Sequence, residues 1–127
     1  MAYEIVIDTD ARVGKTIFAD FIEREQVQSW QKELLPLMKE KKIRAPFMLL
    51  LDFLHVHYMA SSAIEEFQRV FTAWAAKRQY SAMALIYFTP LGAEQIGGTL
   101  DPLRGAPGKI GHFTSVPEAM LWLATIS

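Results

Sequence analysis

"FMLLLD", residues 47–52, follows Pro46 and closes on Asp52, and this continuous apolar run constrains the chain more than any other feature. Such a run offers no polar face to water, so as a strand it has to be covered on both sides. "SAMALIYF", residues 81–88, has the same character. Between the two, Ile64, Phe67, Phe71, Trp74 and Ala75 recur at the three- and four-residue spacing of one helical face. Buried strand, amphipathic helix and buried strand in succession imply a largely parallel sheet layered with helices.

The flanking segments extend the pattern. "YEIVID" (residues 3–8) is rich in β-branched side chains, "TDARVG" reads as a polar turn, and "KTIFADF" alternates apolar with polar residues; together they predict an N-terminal β-hairpin. From Glu23 to Lys42, Val27, Trp30, Leu34, Leu37 and Met38 form one stripe, which predicts a helix that Pro36 should kink or divide. A helix around 91–96, a connector over 97–108, a short strand "KIGHF" and a closing helix "SVPEAMLWLA" complete the order. Ser115 and Glu118 have capping-box spacing, with Pro117 in the first turn. The expected core is Val6, Leu49, Leu51, Ile64, Phe67, Phe71, Leu85, Leu121 and Leu123. The expected organisation is one domain over residues 1–127, since 51% hydrophobic content is enough for one sizeable core.

Bulk chemistry narrows the function. A net charge of −1 provides no basic field for a nucleic acid backbone. The absence of cysteine excludes disulfides and thiolate chemistry. No segment reaches the ~18 apolar residues that a membrane-spanning helix needs, so the chain reads as a cytoplasmic protein. "VGKT" (Val13 to Thr16) lacks the leading glycine of a phosphate loop, because Thr9 occupies that place. Gly14 then reads as a turn glycine and Lys15 as a solvated lysine. His55 and His57 would share one side of an extended segment, but two imidazoles are too few for a zinc site. Neither Ser61 nor Ser62 lies in a nucleophile elbow, since Ala60 and Ala63 flank them. No metal, cofactor or catalytic set is therefore expected, and the chain reads as a non-enzyme. Ser62 with Glu65 has the spacing of a capping box, which would place the start of a helix at this point.

"LLLDFLHVHYMASSAIEEF" resembles the signature of STAS domains, the family of anti-sigma factor antagonists. In that family an apolar strand ends in Asp, a short loop follows, and an "MDSSGL"-like segment opens a helix. Asp52, Val56, Tyr58, Met59, Ser61, Ser62 and Ile64 fit that pattern in register, and "HFTSVPEAMLWL" is similar to the segment that closes many such proteins. Ala60 stands in place of the usual acid and Ala63 in place of the usual glycine. The resemblance implies a SpoIIAA-like α/β fold: an N-terminal hairpin, then alternating strands and helices in a mixed, largely parallel sheet. It also implies a regulatory role without catalysis, in which the surface of Tyr58, Met59, Ser61, Ser62, Glu65 and Glu66 binds a protein partner. That partner would be an anti-sigma factor or a serine kinase-like regulator, and Ser61 matches the phosphorylated serine. The alternative the resemblance leaves open is a small apolar-ligand or lipid carrier of the SEC14-like type. A homodimer through a strand edge or an apolar helix face is a further option.

Overall fold

The computed structural model describes residues 3–87 and 109–126. Strands β1 (Tyr3–Asp8), β2 (Val13–Ile22), β3 (Phe47–Met59), β4 (Tyr80–Ile86) and β5 (Lys109–Phe113) lie side by side in that order in one five-stranded sheet. β1 and β2 are antiparallel, and every later pair is parallel. Helices α1 (Arg24–Glu40) and α2 (Ser61–Ala76) connect β2 to β3 and β3 to β4, and α3 (Val116–Ile126) closes the chain. The expected helix around 91–96 and the connector over 97–108 lie outside the described residues. Among the described residues no helix is long and apolar enough to cross a membrane.

The hairpin register is held by Asp8, the last residue of β1. Asp8 Oδ1 accepts the Ala11 N–H at 3.0 Å, and Lys15 approaches the other oxygen at 3.6 Å. The Ala11 hydrogen bond is the main reason that the Asp8 carboxyl lies below the usual carboxylate range. Lys15 is thus tied to β1 and is not a free solvated lysine.

Two apolar layers lie against the sheet. On one face Phe18, Ile22, Phe47, Leu49, Leu51 and Phe53 meet Val27, Trp30, Leu34 and Met38 of α1 and Phe67, Val70, Phe71 and Trp74 of α2. On the other face Val13, Leu50, Ala82, Ala84 and Ile86 are covered by Ala119 and Leu123 of α3. This double cover is what the unbroken apolar runs of β3 and β4 demand. Trp30 anchors the first layer because its Nε1–H donates to Thr16 Oγ1 at 2.8 Å, satisfying two buried polar groups at once.

Several expectations are corrected. Helix α1 is not divided at Pro36: the proline is exposed on the solvent side while Leu34 and Met38 hold the buried stripe. Val6 is 41% exposed because it shares the face of Glu4 and Asp8, whereas Tyr3, Ile5 and Ile7 turn toward the core. Leu121 is 68% exposed, since Ala119 and Leu123 mark the inward side of α3. Ile64 is partly buried against the core, and the other six expected residues are fully inside it.

Gly14 is a strand residue and not a turn residue. It lies in β2 beneath α1, where an added Cβ would stand 2.6 Å from Met38 Sδ and 3.3 Å from Leu49 Cδ2. Helix and sheet approach so closely here that only glycine fits without movement. Gly14→Val should therefore lower stability by about 2–3 kcal/mol through overpacking, with Gly14→Ala milder because the Met38 tip can swing away. Thermal melts of both variants check the order, and equal melting temperatures for all three proteins would refute the close packing.

Candidate functional site

The carboxyl ends of β2 and β3 and the start of α2 meet at the residues singled out by sequence. β3 does not end at Asp52 but continues to Met59, so "HVHYM" is strand and not loop. Its pairing with β2 slips twice: from Ile17 to Ala19 the partner moves from Asp52 to His55, and from Asp20 to Phe21 it moves from Val56 to Tyr58. Each slip gives β3 one extra residue, a bulge that re-aims the side chains beyond it. Phe53, Val56 and Met59 consequently face the core at three-residue spacing. His55 and His57 are both exposed. Among the described residues no group of three or more His, Asp or Glu side chains converges as a metal site would.

The second slip places Tyr58 beside Phe21. Their ring centroids are 6.4 Å apart with planes at 62°, an edge-on pair, and the side chains are 56% and 63% exposed. Asp20, just before Phe21, has a positive φ of 62°, a conformation that Asp tolerates better than most residues. The local backbone thus turns Phe21 outward while Phe18 and Ile22 remain at 0% exposure. Sequence reading missed Phe21, although its phase in "FADFI" carried the signal: it alternates out when Phe18 and Ile22 point in.

The helix start differs from the expected capping box. Ala60 is the N-cap residue in extended conformation, and its carbonyl accepts from the N–H groups of Ala63 at 2.9 Å and Ile64 at 3.1 Å. The Ala60 N–H donates to the Ile22 carbonyl at 2.9 Å, which pins the helix entry to β2. That anchor fixes the first turn two residues earlier than a Ser62 cap would. Ser61 and Ser62 are the first two helical residues, both exposed, and no side chain caps the helix. Ser61→Ala and Ser62→Ala should each change stability by less than about 0.5 kcal/mol. A loss above about 1 kcal/mol for Ser62→Ala would restore it as the cap.

Tyr58, Ser61, Ser62 and Glu65 all lie at the surface, whereas Met59 is 5% and Glu66 2% exposed. Glu66 is committed inside the protein. Arg24 Nε donates to its Oε1 at 3.3 Å, and Arg69 donates to Oε2 through Nε at 2.9 Å and through a terminal guanidinium nitrogen. Chiefly the Arg69 hydrogen bonds hold the Glu66 carboxyl below the usual range, against the opposing effect of burial. Met59 and Glu66 therefore shape the site from beneath instead of presenting groups to a partner.

No family model and no curated protein matches the chain. Among solved structures it is similar to an uncharacterised protein of the DUF3478 family with a SpoIIAA-like fold from Shewanella loihica PV-4. The TM-score is 0.66 at 17% identity, covering 96% of this chain and 92% of that one. At that identity the likeness establishes the fold, which is SpoIIAA-like.

Proposed function

We propose that this chain is a non-catalytic regulatory module that docks a protein partner on Phe21, Tyr58, Ser61, Ser62 and Glu65. The reading rests on one observation: two aromatic rings stand together and exposed beside the uncapped start of α2. Adjacent exposed rings cost hydration free energy in the isolated protein and are the residue types that anchor interfaces. Asp20, Glu23 and Glu25, which flank Phe21 in the chain, and Glu65, near the start of α2, are exposed, while Arg24 and Arg69 are tied to Glu66. A partner with a basic surface would be steered toward these carboxylates. By the STAS resemblance the partner is an anti-sigma factor or a serine kinase-like regulator. Phosphorylation of Ser61 would then add roughly −1.5 to −2 charges at the contact. The carrier alternative has less support, because the space between the sheet and α1 and α2 is filled by Phe18, Trp30, Phe53, Phe67, Phe71 and Trp74, with ring centroids 5.0–6.4 Å apart.

The test is affinity measured against folding. With a candidate regulator immobilised, Tyr58→Ala and Phe21→Ala should each weaken binding by about tenfold or more. Ser61→Asp should weaken it through charge, and all three variants should melt near the wild type. A regulator bound equally by wild type and all three variants would place the interface elsewhere. Sedimentation of the chain alone would reveal whether a second copy is the occupant.

A further inference from the structure

At the opposite, amino-terminal end of the parallel strands lies a cavity of about 520 Å³. Its polar lining comes from two connections and a strand: Arg12 from the β1–β2 turn, Lys42 and Arg44 from the segment between α1 and β3, and Ser81, the second residue of β4. Ile43 and Met48 form an apolar wall beside them, and among the described residues no carboxylate lines the cavity. Among the described residues, none of the three cations is in an ion pair. Lysines after the end of a helix are often sufficiently explained by its dipole. That account covers Lys42 but not Arg12 or Arg44, which belong to a hairpin turn and to the approach of β3.

The backbone adds an independent observation. Arg12 and Lys42 have positive φ values of 58° and 62°, where a side chain is strained and glycine is not. The chain thus holds two long cationic side chains at positions whose conformation favours having none, and both line the same cavity. Three cations and a hydroxyl lining one cavity, with no counter-charge among the described residues, suit a dianion, and the neighbouring apolar wall suits an organic body attached to it.

We propose that this cavity binds a small organic phosphate, with Arg12, Lys42, Arg44 and Ser81 taking the phosphate and Ile43 and Met48 the organic group. The site is separate from the docking surface and does not depend on it. Because the left-handed positions accept glycine, the test variants remove the cations without threatening the fold. In an NMR titration of the full chain, phenyl phosphate should produce saturable shifts at the amides of Ile43, Arg44, Met48 and Ser81. Arg12→Gly and Lys42→Gly should each weaken that binding by about tenfold while the melting temperature stays level or rises. Lys32→Gln, on the exposed side of α1, should leave it unchanged, and phenol should not bind. Sedimentation with phosphatidic acid vesicles, displaced by phenyl phosphate, would name a lipid headgroup as the source of the same phosphate. Vesicles left unbound would name a soluble ester. No saturable shift up to about 10 mM phenyl phosphate, or equal affinity in the two glycine variants, would overturn the proposal.

Discussion

Phe67→Ala is expected to cost about 3–5 kcal/mol, near the top of the range for an aromatic deletion. Phe67 is 4% exposed and lies where α2 meets three other elements. Its ring stands edge-on to Phe18 of β2 at 5.4 Å, to Trp30 of α1 at 5.5 Å and to Phe53 of β3 at 5.7 Å. Truncation therefore removes contacts to every layer on that side of the sheet. Collapse into the space is restricted, because Phe18 and Phe53 are stacked at 5.0 Å and Trp30 is held by its bond to Thr16. A cavity that cannot close gives the larger penalty. Denaturant unfolding should show a lowered midpoint at unchanged slope. Val6→Ala, at 41% exposure, should move stability by less than about 0.5 kcal/mol. A Phe67→Ala loss below about 1 kcal/mol would contradict the packing described.

The apolar runs at 47–52 and 81–88 and the three-and-four spacing of the helices were enough to read the layered sheet, because burial on two faces and on one stripe leave different periods in a sequence. The second half of β3 was not legible. Two bulges space Phe53, Val56 and Met59 by three residues, a period that belongs to no regular strand. Capping chemistry was likewise ambiguous at Ser61 and Ser62: a serine three residues before a glutamate is a possible cap, but the hydrogen bond from Ala60 to Ile22 comes from elsewhere in the chain and decides the register. In α3 the run Met120 to Leu123 is apolar at every position, so its phase could not identify Leu121 as the outward residue. Glu66 was a readable signal that went unused. It falls on the buried stripe Ala63, Glu66, Phe67 and Val70, and a carboxylate at such a position needs cations close by.

That carboxylate supplies the second large effect. Replacing both Arg24 and Arg69 with alanine should cost about 2–3 kcal/mol, less than for a deeply buried pair because both arginines are more than half exposed and water can reach the charge they leave. Glu66→Gln should cost less, since the arginines it releases are already solvated. Adding Glu66→Met to the double alanine variant should recover much of the loss, because the unpaired charge, and not the missing attraction, is the main penalty. The pH dependence has a definite sign. The Glu66 carboxyl titrates below its ordinary 4.5 in the folded protein, so the unfolded chain binds its proton first as pH falls. Its contribution to stability is therefore complete above about 4.5 and is lost as pH falls through the lower folded value. The stability difference between wild type and Glu66→Gln should be largest near neutral pH and shrink in acid. A difference that stays constant from neutral pH into acid would mean that the two arginines do not hold the Glu66 proton affinity down. The link between the start of α1 and α2, which supports the exposed face of Tyr58 and Ser61 from beneath, would then have to come from packing alone.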